Sequence, residues 1–492
     1  MARHDVVIRE VTIYDGAGAP PVTGDVAIAG DRIAAVGVAD GTGRETLDGR
    51  GLALAPGFID VHTHDDFAAI LHPDLAFKLA GGVTTCIVGN CGMGAAPYDA
   101  AARMARTFHP RATLPAWKGY GGYATELEKA PPAANVGILI GHGTARFAAM
   151  GTKHAAPSPG EMAAMRATVA EGVDAGALGI SSGLIYEPGV FAATDELVEL
   201  ASLFRGTRGL YTTHMRNEST ELLEAVREAI AIGEAAGVRV QISHHKASGR
   251  AAWGLVRESL RSIDAARARG LDVRADQYPY TAGSTVLSAV FRDGGFASGL
   301  GVLDPGDVVI ASAPARPEWE GQAIPAIAAT LGTSPAEAAA LVLAAEPEAT
   351  VVLHSMCEED VQTVMRHPTT MIGSDGIPTL EGKPHPRLYG TFARVLGRYA
   401  RELGVLSLAD AVHRMTGLPA ETFGLAERGV VRPGFFADLV LFDSNTIADR
   451  GTFADPHREP AGIAAVFVNG VRVRADGRGT GARPGRVLRR AR

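Results

Sequence analysis

Apolar and polar positions alternate one by one at both ends of the chain and come in blocks through its middle. The two textures predict two kinds of structure. Near the N-terminus, VVIREVTIYDG (6–16), GDVAIAGDRIAAVG (24–37) and ETLDGRGLALAPG (45–57) show period-two alternation broken by Gly-Asp punctuation, which predicts short strands joined by turns. The blocks beginning at Gly24 and Gly30 read as a hairpin turning at AGD. The texture returns in GVVRPGFFADLVLFD (429–443) and AAVFVNGVRVRADG (464–477), where Asn-Gly between two β-rich runs marks a second hairpin. Neither end supplies enough strands by itself. Together they suffice for one small sheet assembly made of residues 1–57 and 426–492.

Between them, from 58 to 425, short apolar runs alternate with helix-patterned stretches. The predicted strands are 57–64, 82–89, 135–143, 177–183, 210–216, 240–246, 273–280 and 371–376. A helix is expected over 157–177, opened by Ser158 or Pro159, and another over 219–237 with a Ser cap and a Gly stop. Repeated strand–helix alternation implies right-handed crossovers and a parallel sheet, and eight strands suit a (β/α)8 barrel of the TIM type. TVVLHSM (350–356) makes a ninth candidate for eight places. The stretch 291–349, rich in Gly, Ala and Pro and with one helix-like segment, reads as a loop or lid region.

Composition narrows the class. In 492 residues, 47 basic against 54 acidic side chains give a net charge of −7, the wrong sign for a nucleic-acid binder. A hydrophobic share of 46% is ordinary for a chain that buries a large core. Cys86, Cys91 and Cys357 are too few for a disulfide framework, no segment reads as a signal peptide, and no apolar run approaches ~18 residues. These features predict a cytoplasmic enzyme with no membrane span.

The informative polar residues sit where strands end. His62 and His64, Cys91, His142, His214, His244 with His245, and Asp375 all follow apolar runs. In a barrel the C-terminal strand ends converge on one mouth, so residues some 300 positions apart in sequence would meet there. His62 and His64 are two apart on one strand and therefore point the same way. Imidazoles with a thiol are typical zinc donors. Ser181 and Ser182 are more simply strand-end hydroxyls than nucleophiles.

Taken in order, GFIDVHTHDD, GNCG, GLIYEPG, THMRNE, ISHHK, YPYTAGST and GSDG resemble the motifs of the D-aminoacylase (N-acyl-D-amino-acid deacylase) family of the amidohydrolase superfamily, along nearly the whole chain. The resemblance implies a barrel plus a small β-sandwich built from both chain ends. It implies a tight Zn2+ site of Cys91, His214 and His244, and a second, weaker site using His62 and His64 with Cys91 able to bridge. It makes Asp375 the proton carrier and Lys246, Tyr278 and Arg387 the binders of the substrate carboxylate, with Tyr186 near the scissile carbonyl oxygen. His244 is the ligand of its pair because it lies two before Lys246, and His245 then faces away. Arg216 and Asn217 are expected to support His214.

The implied reaction is hydrolysis of the amide of a small N-acyl-D-amino acid by metal-activated water. Asp375 would take the water's proton and return it to the departing amine. After YPYTAGSTVLSA the chain departs from the family pattern, and Arg292 in that segment is a candidate partner for an acidic substrate side chain. A cyclic-amide hydrolase of hydantoinase or dihydropyrimidinase type is the competing enzyme reading, but such relatives use a carboxylated Lys bridge. A metal-free amidohydrolase-fold scaffold is the non-enzymatic one.

Overall fold

The computed structural model describes residues 4–106, 108–109 and 112–490. Eight parallel strands form the central sheet: Phe58–Asp60, Val83–Val88, Asn135–Gly141, Gly179–Gly183, Leu210–His214, Arg239–Ile242, Val273–Gln277 and Thr370–Ile372, each paired with the next in chain order. The eighth returns to the first just beyond its own end. There Thr63 bridges Gly376, Asp375 N donates to His62 O at 2.7 Å, and His64 N donates to Gly376 O at 3.1 Å. This closes the barrel at its C-terminal rim, where the polar residues lie. At the other end Ile59, Ile87, Leu139 and Met371 pack on Leu418 and Phe423 of the helix Gly417–Phe423, an apolar plug without polar chemistry.

Local sequence sets the helices. Pro159–Asp174 begins with a complete capping box between Ser158 and Glu161, with Pro at the first helical position. The helix after the fifth strand starts at Leu222 rather than at a Ser219 cap. Asn217 Oδ1 takes the amides of Ser219 and Glu221 instead, and Gly237 in the left-handed region ends the helix.

Both chain ends share a second sheet. The C-terminal strand Leu439–Phe442 pairs antiparallel with Ala53–Pro56, which in turn pairs with His4–Ile13. The AGD turn joins Val22–Ala29 to Arg32–Gly37, and Asn469-Gly470, both at positive φ, turn Ile463–Val468 into Val471–Ala475. Val7 and Ala27 cluster on one face, and Ile8, Val26, Leu441 and Phe467 on the other.

The run TVVLHSM is the surplus strand. Thr350–Leu353 lies outside the barrel, in an antiparallel sheet with Gly283–Val286 and Val308–Ser312. The segment 291–349 is not a loop. It carries helices Ile324–Leu331 and Pro335–Ala345, the latter with its own capping box, and its apolar side chains Ile310, Ile327 and Val342 form a separate small core with the flanking Val290 and Val351. Ala is the strongest helix former, but these Ala-rich helices lack the apolar–polar period that marks an amphipathic one. No single helix among the described residues is long and apolar enough to cross a membrane.

Candidate metal centre

The first strand delivers His62 and His64 to one face, and the loop after the second strand delivers Cys91. That loop turns tightly: at Gly89, φ +86°, a Cβ would stand 2.2 Å from the Leu139 carbonyl oxygen. Ser181 secures it by accepting from Gly92 N at 3.0 Å and donating to Gly89 O. Ser182 bonds to Tyr211 and Thr213. Both serines are structural hydroxyls.

Cys91 Sγ stands 3.3 Å from His62 Nε2, 3.5 Å from His244 Nε2 and 3.9 Å from His214 Nδ1. Asp375 Oδ1 lies 3.2 Å from His64 Nε2 and 3.5 Å from His62 Nε2. The donors fall into two buried sets, His62–His64–Cys91–Asp375 and Cys91–His214–His244, each mutually within 4.8 Å and sharing the thiol. Cys91, His244 and Asp375 all hold positive φ, at 53°, 36° and 49°. Non-glycine residues adopt that region at a cost, and such strain collects where side chains must be aimed.

Electrostatics suit ligation. Burial pushes the Cys91 thiol up, but His62 and His244 outweigh it and hold it well below its usual range, so it is a thiolate. Burial likewise opposes ionisation of Asp375, and Arg387 with the His244, His64 and His62 imidazoles overcomes it. Burial raises Tyr186 and Tyr278, so both remain protonated donors at neutral pH.

Three buried charged groups that support this cluster escaped the sequence reading. Glu218, four residues after His214 within THMRNE, lies 2.9 Å from His244 Nδ1 and 3.8 Å from His214 Nε2, and pairs with Lys246 at 2.8 Å. Asp276, in the seventh strand, sits 3.3 Å from His62 Nδ1 and accepts the His244 amide at 2.8 Å. Lys78 is the lone charge in the apolar run LAFKLAGG. Its ammonium contacts Asp60 at 2.7 Å, Asp65 at 3.2 Å, and the Thr63 and Ser374 hydroxyls, joining the first strand to the eighth below His62 and Asp375. A single charge inside an apolar run was the available signal.

Lys246, Tyr278 and Arg387 meet. The Tyr278 ring has the Arg387 guanidinium 4.4 Å from its centroid and the Lys246 ammonium at 5.7 Å. Arg387 is buried, pairs with Asp375 Oδ2 at 2.9 Å, donates to Ser284 O, and leaves Nε without a hydrogen-bond partner among the described residues. Tyr186 packs against His214, ring centroids 4.9 Å apart, with its hydroxyl 3.1 Å from Thr285 Oγ1.

The rest divide. His245 turns away to Ser259. His142 is held by Glu196 at 2.7 Å and belongs to neither donor set. Arg216 is taken up by Glu228 and the carbonyls of Val190 and Ala192, and Asn217 caps the following helix. Glu218 occupies the supporting place expected of them. A cavity of about 660 Å3 opens from His64, Cys91 and Asp375, with Met93, Met104, Phe108, Val286 and Ile377 as apolar wall. Arg292 lines it too, donating to the Ser288 and Ile185 carbonyls, beside Glu187, Asp293 and Glu348.

Four buried imidazoles and a buried thiolate are costly unless an ion or hydrogen bonds satisfy them. Nitrogen and sulfur donors in this number fit zinc. Comparison with known proteins agrees. The amidohydrolase family matches residues 45–474. The chain is 41% identical to a D-aminoacylase of Alcaligenes xylosoxydans xylosoxydans over 99% of its own length and 98% of that protein's. An N-acyl-D-glutamate deacylase from Bordetella bronchiseptica, solved with zinc and a phosphonate mimic of the reaction's tetrahedral intermediate, is 39% identical and superposes with a TM-score of 0.90 across 99% of both chains. A D-hydantoinase, at 15% identity and a TM-score of 0.59 over 99% of each chain, shares the fold alone.

Proposed function

The chain belongs to the amidohydrolase family, and from that premise we propose that it is a zinc-dependent N-acyl-D-amino-acid deacylase, cleaving the linear amide to a carboxylate and a free D-amino acid. The carrying observation is the thiolate of Cys91 shared by two donor sets, with Asp375 and a carboxylate clamp at the same mouth. Cys91, His214 and His244 would hold the tight ion, and His62, His64 and Asp375, with Cys91, a weaker one. A zinc ion held by these residues would make hydroxide available near neutral pH and polarise the amide carbonyl.

The remaining work falls to the chain's own side chains. Ionised Asp375 takes the proton of the attacking water and passes it to the amine nitrogen, which leaves only when protonated. Tyr186, protonated by burial, donates to the carbonyl oxygen as it gains charge. Arg387, Lys246 and Tyr278 take the α-carboxylate, which fixes the amide over the metal centre. Cyclic-amide substrates have no such carboxylate, and neither buried lysine near the site is placed for a hydantoinase-type bridge: Lys246 pairs with Glu218 and Lys78 with Asp60.

Arg292 shares the main cavity with the carboxylates Glu187, Asp293 and Asp375 and already donates to two backbone carbonyls, while Met93, Met104, Phe108, Val286 and Ile377 give the wall an apolar patch. That supports an apolar amino-acid side chain over an acidic one. A cytoplasmic, reducing location suits the free thiols of Cys86, Cys91 and Cys357, since an oxidised Cys91 could not ligate. The deciding experiment is turnover on N-acetyl-D-amino acids, their L-forms and hydantoins, with zinc content measured in parallel. Preferred turnover of hydantoins, or a protein purified without zinc yet fully active, would overturn the reading.

A further inference from the structure

We propose that Glu218 is a positioning residue that couples the tight metal site to the carboxylate clamp, so that filling the clamp tightens the grip on zinc. The inference rests on the proposed assignment of Cys91, His214 and His244 to the metal. His244 turns Nε2 and His214 turns Nδ1 toward Cys91 Sγ, and each turns its far nitrogen toward the same carboxylate. Glu218 Oε1 is 2.9 Å from His244 Nδ1 and also 2.8 Å from Lys246 Nζ. Its Oε2 is again 2.8 Å from Lys246 Nζ, but at 3.8 Å from His214 Nε2 it makes no hydrogen bond to that ring, and Lys246 Nζ also stands 2.9 Å from His244 Nδ1. Glu218 is fully buried, so water cannot substitute for any of these partners.

A metal-ligating neutral imidazole carries its hydrogen on the other nitrogen, and a carboxylate accepting that hydrogen orients the ring and makes it a stronger ligand. Here the acceptor is shared. Lys246 draws on the oxygen that His244 needs, and its charge weakens that oxygen as an acceptor. When a substrate carboxylate engages the ammonium, part of that draw is relieved and Glu218 holds His244 more firmly. Linkage requires the converse: a filled metal site favours carboxylate binding by the same factor. Lys246 thus acts both as a substrate contact and as a brake on zinc affinity, with Glu218 the carboxylate shared between the two.

The test is a double-mutant cycle on zinc affinity, read by chelator competition on the purified full chain without any substrate. Glu218→Gln should weaken zinc binding about 10–100-fold, the usual effect of losing a carboxylate behind a ligand. Lys246→Met should tighten it several-fold with Glu218 present and have a clearly smaller effect in the Glu218→Gln background, where only its direct contact with His244 is lost. Wild-type zinc affinity in Glu218→Gln, or an equal effect of Lys246→Met in both backgrounds, overturns the proposal. Should Glu218→Gln alone fail to fold, Glu218→Gln/Lys246→Met removes both charges. It should bind zinc at least tenfold more weakly than Lys246→Met, and equal affinity overturns the proposal. Cys91→Ala separates the two levels. Retention of tight zinc by that variant refutes the metal assignment itself, whereas loss of zinc with an additive cycle refutes only the coupling.

Discussion

Arg387→Ala probes the substrate class most directly, and the structure makes its effect two-part. The guanidinium is buried over the Tyr278 ring and already pairs with Asp375 at 2.9 Å. Removing it takes one partner from the substrate carboxylate. It also takes from Asp375 the positive charge that most strongly favours its ionised form. The first loss applies only to substrates with a free α-carboxylate. A charge-assisted contact is worth about 1.5–3 kcal/mol, which at about 1.4 kcal/mol per tenfold is roughly ten- to 150-fold in kcat/KM. The second loss falls alike on any substrate, because every amide needs the proton acceptor. The assay is therefore a ratio: kcat/KM of N-acetyl-D-methionine over that of its carboxamide, in wild type and variant. The ratio should collapse by the ten- to 150-fold of the clamp, while both absolute rates fall further. Arg387→Lys should restore part of the rate and little of the ratio, since an ammonium cannot form the paired fork. An unchanged ratio would mean that Arg387 serves Asp375 alone, and the assignment of the clamp would be wrong.

Other outcomes follow from the same geometry. Asp375→Asn should keep zinc in the Cys91–His214–His244 set and lose on the order of 10²-fold or more in kcat, and near-normal turnover removes Asp375 from proton transfer. Lys78→Met leaves Asp60 and Asp65 buried without their cation, so it should cost about 3–5 kcal/mol, read as a lower urea midpoint. An unshifted midpoint would show the network is dispensable. In a side-chain panel, N-acetyl-D-methionine or -leucine should exceed N-acetyl-D-glutamate, and Arg292→Ala should not change that order. A preference for glutamate abolished by Arg292→Ala would restore the acidic reading of that residue.

What the sequence disclosed followed period and position. Strand ends carrying His62, His64, Cys91, His214, His244 and Asp375 were legible because a barrel maps sequence position onto one rim, and all six converge. The supporting charges were not, because their function is set by what lies opposite. Asp276 alternates within its strand like any inward residue, and only closure of the barrel, with the eighth strand between it and the first, brings it to His62. Arg216, two residues after His214, looked like its support, yet it turns to Glu228 and Glu218, four residues after His214, takes the place. The 291–349 region misled for a different reason. Its small core is assembled from a strand on each side of it, Gly283–Val286 and Thr350–Leu353, so no local pattern announced a folded unit.

The pairing of Ala53–Pro56 with Leu439–Phe442 has a consequence for biosynthesis. The strands of the first 57 residues leave the ribosome long before the segment that completes their sheet. At ~5–20 residues per second, the intervening ~380 residues take on the order of 20–80 s to synthesise. Throughout that interval the backbone edge of Ala53–Pro56 is uncovered, and an open strand edge recruits other strands. Its brevity, four residues ending in Pro56, limits what can dock there. The nascent N-terminus is thus held as an unfinished half-sheet while the barrel folds behind it. A chain stalled or cleaved between residues 376 and 438 would contain every zinc donor and still be a client for chaperones and proteases.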